Sequence, residues 1–108
     1  MSATRRTKIE AMLADEPADQ FLRYSLAMEL EKEAEHEASL HHLSTLQRDA
    51  NPYVPAFFMA AQQLARLGRV VEARSALRGG IEEARRQGDT HAAAEMAEFL
   101  AGLGRSGE

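Results

Sequence analysis

The chain has 108 residues, a formal net charge of −4 and no cysteine. This length fits one domain with a thin core, and the lack of cysteine excludes a disulfide scaffold, a Cys-ligated zinc site and a thiol nucleophile. The acidic balance argues against a nucleic-acid-binding protein, because phosphate binding needs clustered Lys and Arg. No apolar stretch approaches the roughly 20 residues of a membrane span, and no signal-peptide core follows the first residues. We therefore expect a soluble cytoplasmic protein.

The apolar residues are of the kinds that favour helices. The sequence contains 20 Ala, 12 Leu and 5 Met, against 3 Val, 2 Ile and 4 Thr. Because Ala, Leu and Met are strong helix formers whereas strands are rich in β-branched residues, the composition predicts an all-α fold.

Helix-breaking residues divide the chain into six predicted helices. Asn51 and Pro52 indicate a helix start, with Asn as the cap and Pro in the first turn, and Gly68 indicates a helix end. The predicted helices span residues 4–14, 18–33, 36–48, 53–67, 70–87 and 90–103, with a tail at 104–108.

Each predicted helix carries one apolar stripe, so neighbouring helices must stack as antiparallel hairpins to cover these stripes. In the first helix the stripe consists of Ile9, Met12 and Leu13. In the fourth helix it consists of Phe57, Ala60, Ala61, Leu64 and Leu67.

The chain repeats itself with a period of about 34 residues, as a comparison of the sequence with itself shows. Small residues align with small ones and large apolar residues with large ones across two whole hairpins. The aligned pairs are Tyr24 and Phe58, Leu26 and Ala60, Ala27 and Ala61, Leu30 and Leu64, Ala34 and Gly68, Ser39 and Ala73, and Leu43 and Leu77.

With this period the chain resembles the tetratricopeptide repeat family, whose unit is a helix–turn–helix of about 34 residues. In the second repeat Phe57 falls at the family's aromatic position, and Gly80 falls where an alanine is usual. The other matching positions of that repeat are Ala60, Ala61, Leu64, Gly68, Ala73 and Leu77. In the first repeat they are Leu26, Ala27, Leu30, Ala34, Ser39 and Leu43, whereas Arg23 and Leu46 depart from the pattern and Pro52 is one residue late.

The resemblance implies a right-handed superhelical array of antiparallel hairpins in one domain. Residues 18–50 and 52–87 are then the two repeats, 4–14 is an N-terminal half-repeat helix, and 89–103 is a capping helix. Ala27, Ala61 and Ala73 are expected where helices cross closely. Close packing of helices also explains why glycine is found at position 80. The sequence indicates no role for Gly79 beyond a kink.

The polar residues form no recognisable catalytic or metal-binding motif. The four histidines are His36, His41, His42 and His91. His41 shares a helix face with the carboxylate of Glu37, but two ligands make a weak site. His41 and His42 are expected to face outward. The serines considered as nucleophiles, Ser25, Ser39, Ser44 and Ser75, lie in no nucleophile elbow. We therefore expect no enzyme activity, no cofactor and no metal.

Charged residues concentrate in two segments. The acidic residues between Glu29 and Glu37 are expected to form a solvated turn, although their charge opposes the helix dipole there. The basic residues Arg5, Arg6 and Lys8 are expected to be a solubilising end.

The resemblance implies an adaptor that binds a peptide or a partner helix in its concave groove, without nucleic acid or membrane. The alternative is a homodimer or assembly subunit that uses the same surface, and a metal-binding protein is a more distant third. The residues expected to line the groove are Phe21, Tyr24, Met28, Lys32, Phe58, Gln62 and Arg66.

These groove positions repeat an aromatic, a flexible side chain and a cation, which suits a segment with apolar anchors and an acidic residue. Periodicity alone leaves open whether Tyr24 and Phe58 belong to the groove or to the core. Family members that clamp acidic chaperone tails have Lys and Asn where Tyr24, Met28 and Met59 stand here, so we expect no binding of those tails.

Overall fold

The structure is a computed structural model that describes residues 2–105, with the side chains of residues 5–104. Helices occupy most of this part of the chain, and no strand occurs in it, which confirms the all-α prediction with six helices. The helices are α1 (Ser2–Asp15), α2 (Gln20–Lys32), α3 (His36–Gln47), α4 (Val54–Arg66), α5 (Val70–Arg86) and α6 (Thr90–Arg105). Of the predicted tail, residues 106–108 lie outside the described residues, and α6 runs through 104 and 105.

The structure corrects the predicted starts of two helices. At α2 the cap is Asp19, whose carboxylate accepts a hydrogen bond from the backbone N–H of Leu22 at 2.8 Å. The prediction that Asn51 caps α4 with Pro52 in its first turn is wrong, because α4 begins at Val54. Asn51 instead donates its backbone N–H to the Asp49 carboxylate at 3.1 Å, in the turn that follows α3.

The chain forms two compact units, one of α1–α3 and one of α4–α6. In the first unit α2 packs against both α1 and α3. Ile9, Leu26 and Leu30 form the buried cluster between α1 and α2, with Leu13 packed against it. Met12, which the sequence placed in the same stripe, is 48% exposed.

Close contact between α2 and α3 depends on small residues. Ala27 and Ser39 are both fully buried, and the Ser39 hydroxyl donates a hydrogen bond of 2.7 Å to the backbone carbonyl of Ala27. A buried hydroxyl must find such a partner. Ser39 therefore supplies a polar link at the position where the second repeat has Ala73, which is also fully buried.

The second unit has the larger core. Phe57 of α4 lies at its centre, where α5 approaches so closely that a Cβ on Gly80 would lie 2.5 Å from the Phe57 Cβ and 2.6 Å from the Met96 Sδ. Gly80 is therefore required by packing, whereas a Cβ on Gly79 would only touch the Phe57 ring edge, at 3.4 Å. The buried residues of this core are Val54, Phe57, Ala61, Leu77, Ile81, Ala84, Ala93 and Met96.

Three helix ends are closed by the same hydrogen-bonded turn. Ala34, Gly68 and Gly88 adopt the left-handed conformation, with φ of 63°, 79° and 79°. After each of them the next backbone N–H donates a 2.8 Å hydrogen bond to a carbonyl five residues earlier in the chain, as in the Schellman motif. Ala34 and Gly68 are aligned with each other by the sequence repeat, so the period of the sequence is repeated in the backbone conformation.

Replacing Ala34 with glycine is expected to stabilise the protein by about 0.5–1 kcal/mol. Ala34 is held at φ 63°, where an L side chain costs roughly 1–2 kcal/mol, and glycine removes this strain at some cost in chain entropy. Urea denaturation measures the change. Ala11→Gly, at an exposed position within α1, is the control and should destabilise by about 1 kcal/mol. A loss of stability in Ala34→Gly would contradict the assignment of strain to this turn.

Candidate interaction faces

On α2 three of the predicted groove residues, Phe21, Tyr24 and Met28, form what we call the α2 face. Their spacing of three and four residues puts them on one side of the helix. Phe21 is 62% exposed, while Tyr24 and Met28 are half-buried. The exposed ring of Phe21 and the partly exposed side chains of Tyr24 and Met28 therefore form a continuous stretch of apolar surface along α2, the kind of surface that can serve as a contact site.

Tyr24 belongs partly to the packing of its own unit. Its ring lies 5.4 Å from that of Tyr53, centroid to centroid, at an angle of 60°. Burial, followed by the neighbouring Tyr53, raises the pKa of the Tyr24 phenol, so this hydroxyl remains protonated at neutral pH. Tyr24 is thus neither fully buried core nor a freely exposed side chain.

The predicted groove cation Lys32 is engaged within its own unit. Its ammonium group lies 3.1 Å from the Glu29 carboxylate, which also accepts a hydrogen bond of 2.8 Å from Arg5. Glu29 is only 3% exposed, so the expectation that the acidic segment is a solvated turn fails at its first residue. Arg5 was expected to belong to a solubilising end of the chain. It instead links α1 to α2 through its hydrogen bond to Glu29.

Two further arginines connect helices of the first unit. Arg6 donates to Glu33 at 2.8 Å and to Glu10 at 3.1 Å. Arg23, which departs from the repeat pattern, donates to the Asp49 carboxylate at 2.9 Å and to the Thr45 hydroxyl at 3.1 Å. The departure at Arg23 therefore has a structural reason, because the side chain links α2 to the end of α3.

Acid is expected to weaken the first unit through Glu29. Hydrogen bonding by Lys32, with a further contribution from Arg5, holds the pKa of Glu29 below its ordinary value of 4.5. The carboxylate therefore contributes stability above that value, and the contribution is lost as the pH falls through the lowered pKa. Urea denaturation at about pH 7 and about pH 3 should show a larger loss of stability for the wild type than for Glu29→Gln. Equal losses would contradict this role of Glu29.

In the second unit the predicted groove residues Phe58 and Gln62 are half-buried on α4, and Arg66 at its end is exposed. The Phe58 ring meets that of Phe99 edge-on, with centroids 5.5 Å apart and an interplanar angle of 70°. Phe99 was not among the residues predicted from the sequence. Its position three residues after Met96 and four before Leu103 was the signal, since this spacing places all three on neighbouring parts of α6.

Phe58 and Phe99 border an open pocket of about 450 Å³ between α4 and α6, which we call the α4–α6 pocket. Glu95, Glu98, Gly102 and Leu103 complete its lining. The pocket thus combines aromatic and aliphatic surface with two carboxylates.

One histidine and one serine that the sequence singled out, His42 and Ser25, have local structural surroundings. Burial, with smaller effects of His41 and Arg23, lowers the pKa of His42; this ring is half-buried rather than outward-facing as expected. The Ser25 hydroxyl donates to the backbone carbonyl of Phe21 at 2.8 Å. Among the described side chains no group of three His, Asp or Glu residues could hold a metal ion. Within the described residues no helix is long and apolar enough to cross a membrane.

Comparison with known proteins supports the fold through two solution structures. A tetratricopeptide repeat domain protein from Salinibacter ruber is 28% identical, with a TM-score of 0.75 over 81% of this chain and 88% of that one. A protein from Bordetella parapertussis is 29% identical, with a TM-score of 0.77 over 94% of this chain and 88% of that one. No family model and no curated protein matches the chain. The chain therefore has a tetratricopeptide-like helical repeat fold.

Proposed function

We propose that this protein is an interaction adaptor that binds a segment of another protein on the first helices of its two hairpins. The observation that carries the proposal is the α2 face, where Phe21 is 62% exposed beside the half-buried Tyr24 and Met28. Aromatic and methionine side chains supply adaptable contact area at binding surfaces. Helical repeat proteins commonly use the surfaces formed by successive helices in this way.

The second unit offers a comparable surface on α4. Phe58 is the repeat equivalent of Tyr24, is half-buried like it, and rests on an aromatic ring of its own unit. Both repeats thus present an aromatic side chain at the same position of the first helix. Gln62 and Arg66 follow Phe58 at the positions that correspond to Met28 and Lys32, and they complete the surface that we propose for the second unit.

The test is selection of peptides from a phage-displayed library on the immobilised protein, followed by affinity measurements on variants. Phe21→Glu should reduce the affinity of the selected peptides at least about tenfold, because it places a charge in an apolar contact. The melting temperature should stay unchanged, since Phe21 is mostly exposed. Intact binding by folded Phe21→Glu would refute the use of the α2 face.

Val71→Glu is the matched control for this experiment. Val71 is 75% exposed on α5, the second helix of its hairpin, so the same apolar-to-acidic change should leave peptide affinity unaltered.

Light scattering coupled to size-exclusion chromatography tests the alternative in which the partner is a second copy of this chain. If the wild type is a dimer and Phe21→Glu dissociates it, the protein is a self-associating subunit and the adaptor proposal is wrong.

A further inference from the structure

The α4–α6 pocket is an open concavity whose volume could accommodate a side chain. Its volume of about 450 Å³ falls within the range of roughly 300–1,000 Å³ that is typical of ligand sites. The half-buried rings of Phe58 and Phe99 and the half-buried Leu103 side chain supply its apolar surface.

The described side chains that line the pocket carry a net negative charge. Glu95 and Glu98 are three residues apart on α6, on the same face as Phe99. Glu98 is exposed and forms no ion pair with any described side chain. Among the described side chains the charged partner of Glu95 is His91, with 3.5 Å between the Glu95 Oε2 and the His91 Nε2. This contact is ionic only when His91 is protonated. Among the described residues that line the pocket there is no lysine or arginine.

A cationic side chain with a long apolar stem matches this combination. The methylene groups of Lys or Arg pack on apolar surface while the charged end remains at its edge. There the charge can pair with Glu98 and Glu95 through charge-assisted hydrogen bonds, and it can also interact with the faces of aromatic rings. A bound cation would relieve the repulsion between the two carboxylates, whereas an acidic segment would increase it.

We propose that the α4–α6 pocket binds a Lys or Arg side chain of a partner segment, with an apolar residue beside it on the Phe58 and Phe99 rings. This inference rests on the proposed adaptor function and gives the sign of the partner's charge. It differs from the expectation of an acidic ligand, which rested on the cations Lys32 and Arg66. The ammonium group of Lys32 is paired with Glu29, while Glu98 lines the pocket as an exposed carboxylate.

The experiment uses the phage-displayed library on wild-type protein and on Glu98→Lys. Sequences selected on the wild type should be enriched in Lys or Arg next to an apolar residue, and their affinity for Glu98→Lys should fall at least about tenfold. Glu98→Gln, which keeps the shape and removes the charge, should give a smaller loss. Glu82→Gln is the matched control, because Glu82 is an exposed carboxylate on α5 outside the pocket, and it should leave affinity unchanged.

Amide chemical shifts of the labelled protein locate the bound peptide. Binding of a selected basic peptide should shift the resonances of Phe58 and of residues 95–103 more than the rest of the chain. Selected peptides without basic residues, or shifts confined to other helices, would overturn this inference and leave the adaptor function standing. Failure of the wild-type protein to select any peptide would overturn both proposals.

Discussion

Replacing Gly80 with alanine is expected to destabilise the protein by about 1–3 kcal/mol, the usual cost of overpacking a core. The added Cβ would lie 2.5 Å from the Phe57 Cβ and 2.6 Å from the Met96 Sδ. The Met96 side chain is flexible and can move, but the Phe57 Cβ is fixed to the α4 backbone. The helices α4 and α5 must therefore separate, which loosens the packing of the whole second unit. Urea denaturation, with unchanged m value, measures the effect.

Gly79→Ala is the matched control and should change stability in the opposite direction. Its added Cβ would meet only the edge of the Phe57 ring, at 3.4 Å, which is ordinary van der Waals distance. Alanine is favoured over glycine within a helix by about 1 kcal/mol, so we expect a gain of about 0.5–1 kcal/mol. Two neighbouring glycines of one helix would then respond with opposite signs. A stabilising Gly80→Ala would refute the close approach of α5 to Phe57.

The fold could be predicted from the sequence because its repeat has a direct physical meaning. The repeat offset aligned Ala34 with Gly68, and both adopt the left-handed conformation that closes a helix. Composition and breaker residues were sufficient to predict six helices, since each helix needs only local signals to begin and end. The prediction failed at Asn51 and Pro52, where a capping signal belonged to the preceding turn.

The pairing of charges between helices could not be predicted in the same way. Periodicity shows which side of a helix is apolar, but it does not show which charged side chains meet across two helices. Arg5 and Glu29 are 24 residues apart and form a hydrogen bond of 2.8 Å. For this reason a carboxylate that looked solvated in the sequence is almost fully buried in the structure.

The positions of the candidate binding residues could be predicted from the sequence, but the side chains that surround them could not. The sequence placed Tyr24 and Phe58 at equivalent positions, but their ring partners Tyr53 and Phe99 come from other elements of the same units. Contacts of this kind depend on how helices and turns pack, which a repeat offset does not specify. That these faces bind a partner stays a prediction, and the variants of Phe21 and Glu98 are its tests.

Leu77→Ala is expected to cost about 2–5 kcal/mol, the range for removing a leucine from a packed core. Leu77 is fully buried in the core of the second unit, so truncation removes contacts on all sides and leaves a cavity. Leu43, its equivalent in the first unit, is also fully buried, and Leu43→Ala should fall in the same range. Amide hydrogen exchange reports each unit separately, so the loss should appear in α4–α6 for Leu77→Ala and in α1–α3 for Leu43→Ala.

Leu67→Ala tests whether the loss of stability on truncating a leucine follows from its burial in the structure or from its place in an apolar stripe of the sequence. The sequence put Leu67 in the apolar stripe of its helix, but α4 ends at Arg66 and Leu67 is 38% exposed. Its truncation should therefore cost less than about 1 kcal/mol, because part of its surface already contacts water. If Leu67→Ala cost as much as Leu77→Ala, the pattern of the sequence would describe the core better than the structure does. A small loss at Leu67 beside large losses at Leu43 and Leu77 would show that burial, rather than the apolar pattern of the sequence, decides how much each of these leucines stabilises the protein.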